Sequence, residues 1–556
     1  MSDDLDPAVD ARFRAAVECH QSGRLEEATL LYRQILDDVP GHAPSLHMRG
    51  VLFIQLGQLG PAVEALSAAV AADPSKTEYR NDLGEAYRIA GNLDAAASAF
   101  LAVLEREPNH APATANLGVV RHAQGVLDDA IALYRRAITL DPANANALTN
   151  LGVALQAIGQ AGEARHVFGL ARSLNPESAA IALNLGNLEL TQGDPEAAES
   201  LYREALTLDP GSAAAQVNLG RALKEQGRIA EALSACGRAR AMDPNLAAAH
   251  WNEALCRLLL GDFNRGWPGF LWRWAAEAVP PHGISTPEWD GKSLAGRDLL
   301  VHAEQGLGDT LQFIRFLPLL AAFEPKSVTV LVQPELIGIV RALAGVDRVI
   351  GSDASLEPYH CRVPLLDLPG WLGLRAADFA QAVPYLHADP MLIEQWRGRF
   401  ATDRCKRVGL VWKGRPGHAN DRNRSTRLET LLPLATSSQT QWVSLQRETT
   451  EEEEAALAKA RIEALGRGLE RMEDTAALIS TLDLVVTVDT SVAHLAGALG
   501  KPFWLMLPAV PDWRWMLHRS DSPWYPSARL FRQQTRGDWS TVVTAIGIAL
   551  KEAGLS

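Results

Sequence analysis

Residues 111–144 read APATANLGVVRHAQGVLDDAIALYRRAITLDPAN, and the following 34, residues 145–178, read ANALTNLGVALQAIGQAGEARHVFGLARSLNPES. Laid over each other without a gap, they share Asn-Leu-Gly at 116–118 and 150–152, a glycine at 125 and 159, an alanine at 130 and 164, and a proline at 142 and 176. A fixed period of this size marks a stacked array in which each unit buries its apolar face against the next. Followed outward, the glycines become Gly23, Gly57, Gly91, Gly125, Gly159, Gly193, Gly227 and Gly261, and the prolines Pro40, Pro74, Pro108, Pro142, Pro176, Pro210 and Pro244. The glycine ends one helix and allows the tight turn into the next, and the proline marks a junction where a helix cannot continue. A third series, Gly50, Gly84, Gly118, Gly152, Gly186 and Gly220, falls inside the first helix of each unit, where glycine weakens the helix. It predicts a close helix approach, for which Ala28, Ala62, Ala96, Ala130, Ala164, Ala198 and Ala232 of the second helix offer a flat partner surface.

Several position classes sharing one period resemble the tetratricopeptide repeat, over residues 9–246 as seven repeats with a degenerate eighth ending near 280. The resemblance implies a superhelix whose concave face binds protein or peptide. The sixth position of each repeat faces that groove in the family, and here it reads Asn116, Asn150, Asn184, Asn218 and Asn252. Asparagine is a poor helix former, and its amide can grip an extended peptide backbone with both donor and acceptor, although a tolerated polar residue is the simpler account. The solenoid of the eukaryotic O-linked N-acetylglucosamine transferases carries such a ladder. The first three repeats depart from it, with Arg14, Met48 and Asp82, so a peptide groove is expected in the later repeats.

The whole chain of 556 residues is 47% hydrophobic and 21% charged, which suits a globular protein and not a disordered or collagen-like one. Its net charge of -13 speaks against a nucleic-acid partner of the usual basic kind. Cys19, Cys236, Cys256, Cys361 and Cys405 are odd in number, scattered and without metal-ligand spacing, and read as buried thiols of a reducing compartment. The start MSDDLDPAVD has no basic and apolar leader pattern, and no apolar run is long enough to span a bilayer. A cytoplasmic protein without a membrane span is expected.

All fourteen tryptophans lie at or beyond Trp251, which marks a change of domain. The stretch GDFNRGWPGFLWRW, 261–274, carries bulky residues where the array has small ones and suits a solenoid cap. The expected division is a solenoid over 1–280, a linker over 281–297, and two α/β lobes over 298–400 and 401–556. The lobes follow from alternating strand and helix patterns. DLLVHAE, SVTVLVQ and VDRVIG are strands of the first, and RVGLVWKG, QWVSLQ, DLVVTVD and PFWLMLP of the second, with TLQFIRFLPLLAAF and TSVAHLAGALG among the helices between them. Such an order implies parallel sheets with a ligand cleft at the carboxyl ends of the strands.

Three loops at such ends could carry chemistry. QGLGD, 305–309, could be no more than a strand-to-helix turn with Asp309 as N-cap. Asp489, Thr490 and Ser491 end a strand and open a helix, whose amides suit a phosphate; His494, one turn in, could donate to the same anion or could be a satisfied core histidine. VWKGRPGHANDRNRS, 411–425, concentrates Lys413, Arg415, Arg422 and Arg424, with Arg427 nearby, as an anion site or as a solvated loop. The run EEEE, 451–454, reads as a solvated helix start. No nucleophile elbow, zinc spacing or Walker loop is present.

In that order across two lobes, QGLGD with its FIRFLPLL helix, NDRNRS and DTSVAHLAGALGKP resemble the GT-B glycosyltransferases. They are most similar to bacterial tetratricopeptide-repeat proteins with a heptosyltransferase-like C-terminal half, among them flagellin-modifying transferases. The resemblance implies an α superhelical solenoid followed by an α/β GT-B fold of two Rossmann-like lobes, acceptor on the first and donor on the second. By resemblance Asp309 is the general base, and Gln305, Gly308, Lys413, Arg424, Asp489, Thr490, Ser491 and His494 bind the donor. Ser491 stands where heptosyltransferases carry glycine, which bears on how closely a phosphate approaches the backbone. The segment PAVPDWRWMLHRSDSPWYP, 508–526, looks like the same subgroup; its Trp513, Trp515 and Trp524 could pack the lobe or stack on a base.

The implied activity is transfer from a nucleotide-sugar, with no cofactor and no metal, to Ser or Thr hydroxyls of a protein held by the repeats. Flagellin is the named acceptor, and a CMP-nonulosonic acid is the named donor. Two alternatives stay open: a transferase acting on a lipid-linked or polysaccharide glycan, and a non-catalytic adaptor whose second half has lost activity.

Overall fold

The computed structural model describes residues 7–276, 283–352, 358–380, 383–400, 405–417, 420–435 and 440–555. The expected boundary between solenoid and linker at 280–281 lies outside the described residues. The chain forms two compact units, residues 1–215 and 216–556. Packing therefore draws its line elsewhere than composition does: the last two helix pairs of the array go with the α/β part.

In the first unit twelve helices run from Pro7–Gln21 to Pro195–Leu208 as six antiparallel pairs. All eight glycines of the first series, two of them in the second unit, adopt φ between 70° and 84°, the left-handed turn that a side chain resists. A Cβ at Gly220 would meet the expected Ala232, 3.3 Å from its carbonyl oxygen, beside Cys236, but the other five third-series glycines answer to a different partner. A Cβ at Gly84, Gly118, Gly152 or Gly186 would lie 2.5–2.7 Å from a ring atom of Phe100, Tyr134, Phe168 or Tyr202, and one at Gly50 would lie 2.5 Å from Leu66. Each glycine is thus a socket for the large side chain sixteen residues on, in the second helix of its own pair. Those side chains are almost wholly buried and, with the alanines, make a core that repeats with the sequence.

The second unit opens with the pairs Ala213–Glu225 with Ile229–Met242, and Ala247–Leu259 with Phe263–Phe270. The final helix is cut to eight residues and contains Pro268. Two all-parallel sheets follow. The first holds β1 (Asp298–His302), β2 (Ser327–Val332), β3 (Arg348–Gly351) and β4 (Cys361–Pro364) in the order β3-β2-β1-β4. The second holds β5 (Lys406–Val411), β6 (Thr440–Ser444), β7 (Glu463–Ala464), β8 (Leu484–Val488), β9 (Phe503–Leu507) and β10 (Ala528–Arg532) in the order β10-β9-β8-β5-β6-β7. In each, strand order reverses beside the first strand, between β1 and β4 and between β5 and β8, which opens a crevice at their carboxyl ends. Strands buried on both faces, such as β8 and β9, are runs of apolar residues, as the covering helices demand.

The helix expected over 310–323 differs in two ways. It begins earlier, at Leu307, with Gly306 as N-cap; Asp309 is the third residue, and its carboxylate accepts from the Gly306 amide at 3.0 Å. From Ile314 it tightens into 3-10 turns over Ile314–Phe323, because Pro318 lacks the amide that would close an α-helical turn. The five cysteines are free; four are buried, and Cys405 is half-buried, unlike its expected state.

Candidate functional site

β1, β5 and β8 each end in one of the three loops singled out above. The loops after β1 and β8 touch. The helix Leu307–Phe313 of the first lobe packs on the helix Ser491–Ala498 of the second, closely enough that a Cβ on Gly308 would lie 2.8 Å from the His494 ring and 3.6 Å from Ser491 Cα. Glycine at 308 is what allows this approach. Thr490 caps the Ser491–Ala498 helix by position but not by a side-chain hydrogen bond; its hydroxyl lies 3.3 Å from that of Thr487.

His494 is buried, its Nδ1 is 2.9 Å from the Tyr525 hydroxyl, its ring stacks on Trp515, and its Nε2 is 3.9 Å from Asp489 Oδ1. Burial, then Arg514, Arg315 and Arg424, push its pKa well down, so the imidazole is neutral. Asp489 is pushed up to about 6 by burial and by Asp512, against the opposing pull of Trp515, Arg424 and Arg514. Its main-chain carbonyl accepts from Arg424 Nη1 at 3.0 Å, and Arg424 Nε lies 3.5 Å from Asp421. The Gln305 carbonyl is fixed by Gln333 Nε2 at 2.6 Å.

Three expectations change. Lys413 does not face this junction as a spare cation: its Nζ sits 2.6 and 2.8 Å from the two oxygens of Glu453, which also accepts from Trp412 Nε1. Glu453 belongs to the EEEE run and is half-buried, so that run is not simply a solvated helix start. Burial works against its charge, but hydrogen bonds from Lys413, the Thr450 amide and Trp412 hold its pKa below the ordinary range. Asn252 is 7% exposed, and its amide donates to Ala248 O of its own helix at 2.7 Å, which removes a donor from that rung. Asn116, Asn150 and Asn184 are half-buried on the first helices of their pairs, and Asn218 shares its side-chain oxygen with Arg221 at 3.5 Å.

Sequence reasoning missed the residue at the centre. Arg514, 7% exposed, pairs with Asp309 Oδ1 through Nη2 and with Asp512 Oδ1 through Nη1 at 2.8 Å, and its guanidinium lies 4.4 Å from the Trp513 ring. Burial opposes its charge, but Asp512, Asp309 and Asp489 hold it firmly protonated. Its position after β9, the strand beside β8, was the available signal: a lone arginine between two tryptophans at a carboxyl end. Trp513, Trp515 and Trp524 are themselves buried and pack the lobe. Trp513 meets Phe313 edge-on and Trp524 meets it at a tilt, and Trp513 also meets Trp267 and Phe270 of the last repeat helix. A second missed group lies beside the first loop. Arg273, fully buried, is held between Glu304 at 2.5 Å and Asp367 at 2.6 Å. Burial pushes Glu304 up to about 8, so one cation serves two carboxyls of which Glu304 keeps its proton.

Tetratricopeptide repeat models match residues 47–111, 118–159, 149–213 and 189–259, and the model of glycosyltransferase family 9 (heptosyltransferase) matches 434–504, which takes in β8 and the Asp489–His494 turn. The chain is thus a tetratricopeptide-repeat solenoid followed by two parallel α/β lobes, the second of which resembles that glycosyltransferase family over residues 434–504. It is similar to Protein FlbA of Caulobacter vibrioides, 27% identical over 330 residues, covering 55% of each chain; it spans about half the length of this curated relative. Among solved structures it is similar to PilF of Pseudomonas aeruginosa, 21% identical over 38% of this chain and 95% of that one, with a TM-score of 0.34. A tetratricopeptide repeat protein from Parabacteroides merdae is 18% identical over 42% and 92%, with a TM-score of 0.37. Among the described residues no helix is long and apolar enough to cross a membrane.

Proposed function

We propose that this protein is a cytoplasmic glycosyltransferase that moves a sugar from a nucleotide-sugar to a Ser or Thr hydroxyl of a protein acceptor. One observation carries the reading: Asp309 of the first lobe and the Asp489–His494 turn of the second, each at the carboxyl end of a strand at a reversal of strand order, meet across Gly308. That is the arrangement a two-substrate cleft needs, with a base on one side and an anion-binding helix start on the other. The likeness of residues 434–504 to a glycosyltransferase family supports the same class.

In this reading the acceptor oxygen attacks the anomeric carbon, its proton passes to Asp309, and the bond from that carbon to the phosphate oxygen breaks with its electron pair leaving on the nucleotide. Arg424, the amides at Thr490 and Ser491, and Thr490 Oγ1 meet the leaving phosphate, so no metal ion is required. Asn116, Asn150 and Asn184 are the rungs proposed to hold the acceptor chain. Flagellin is the acceptor to test first, and a CMP-nonulosonic acid the donor, beside UDP-, GDP- and ADP-sugars.

The deciding experiment is sugar transfer by the natural chain and by Asp309→Asn. Loss of a base contributes about 100-fold or more, so the variant should fall by at least that factor while still melting in one cooperative transition. Equal transfer by the two would remove Asp309 from the reaction.

A further inference from the structure

We infer that Arg514, and not Lys413, is the cation that joins Arg424 in binding the donor's phosphate, and that it does so by leaving Asp309. This rests on the glycosyltransferase reading and adds a residue to it. Lys413 is already neutralised by Glu453, held by two short contacts. Arg514 stands where the two loops meet, bonded to the acid of the first loop and placed among the carboxyls of Asp489 and Asp512. It is more than nine-tenths buried, and its Nε has no hydrogen-bond partner among the described residues. An unsatisfied buried donor costs about 1–3 kcal/mol, which a ligand oxygen would recover. Beside it the Ser491–Ala498 helix begins without a side-chain cap. A phosphate seated there would meet the helix amides and the Arg514 fork together, a bidentate arrangement that a lysine does not reproduce.

The same contact sets an order. While Arg514 holds Asp309 Oδ1, and Gly306 donates to Oδ2, both oxygens of the base are engaged. A phosphate that draws Arg514 toward the helix start frees Oδ1 for the acceptor hydroxyl. Donor binding then arms the base, and Asp309 and the donor compete for one guanidinium.

Calorimetric titration of the full chain with UDP, GDP, ADP and CMP tests this without sugar transfer. Arg514→Met should weaken the nucleotide bound by the natural chain at least tenfold, Arg514→Lys by an intermediate factor, and Lys413→Met by less than threefold. Asp309→Asn, which removes the competing charge, should tighten binding several-fold, a gain that a purely structural role for the pair would not produce. Melting curves establish that each variant is folded, and Arg514→Lys serves if Arg514→Met is not. Binding that survives in both Arg514 variants, or an Asp309→Asn variant that binds no tighter, overturns this inference alone. A natural chain that binds none of the four nucleotides overturns the glycosyltransferase reading and this inference with it.

Discussion

The first unit and the α/β part of the second are built on opposite principles. In the first unit the rings of Phe100, Tyr134, Phe168 and Tyr202 each find a glycine socket in their own helix pair, so these contacts are local and return with the sequence period. In the second unit the telling contacts join residues far apart in the chain: Arg273 with Glu304 and Asp367, and Arg514 with Asp309. Local contacts that repeat are legible one by one, whereas a buried charge cluster depends on several segments arriving together and becomes costly when one is removed.

The sharpest way to break this contrast is Arg273→Met. It leaves two carboxyls buried without their cation, at a cost of about 3–5 kcal/mol. Because all tryptophans lie at or beyond Trp251, tryptophan fluorescence follows the second unit alone. That signal should melt lower by about 10 °C, taking about 2–4 °C per kcal/mol. An unchanged fluorescence melt would show that the cluster does not hold the second unit together.

Glu304→Gln acts on the same cluster with the opposite sign, and its effect depends on pH. The folded chain keeps on Glu304 a proton that the unfolded chain releases between the ordinary 4.5 and about 8. Stability of the natural chain therefore falls as pH rises through that window and levels off above it. The glutamine variant has no such proton, so its melting advantage should widen by several degrees between about pH 5 and about pH 8. A gap that stays constant would mean that Glu304 is ionised.

In the array the effects are smaller and involve no charge. Gly152→Ala should destabilise, since a Cβ 2.6 Å from the buried Phe168 ring overpacks the pair by about 1–3 kcal/mol, only partly offset by about 1 kcal/mol of helix propensity. Gly169→Ala, in the second helix of the same pair with nothing within 4 Å of its Cβ, should stabilise by about 0.5–1 kcal/mol. Far-UV circular dichroism reads both, and a pair of equal shifts would refute the socket.

The period alone established the repeats, their glycine turns and a degenerate eighth, because each helix pair contacts only itself and its neighbours in the array. The alternation of strands and helices likewise foretold two parallel lobes and placed three loops at strand ends. The sequence did not reveal which cations those loops would use. Lys413 looked available until Glu453, forty residues on, was packed beside it; Arg514 looked like part of a tryptophan-rich packing segment until β9 took its place next to β8. Spacing along the chain records the short-range geometry of helices and turns. Charge pairing in a buried cleft is decided by which strands become neighbours, and that is settled only when the sheet is assembled.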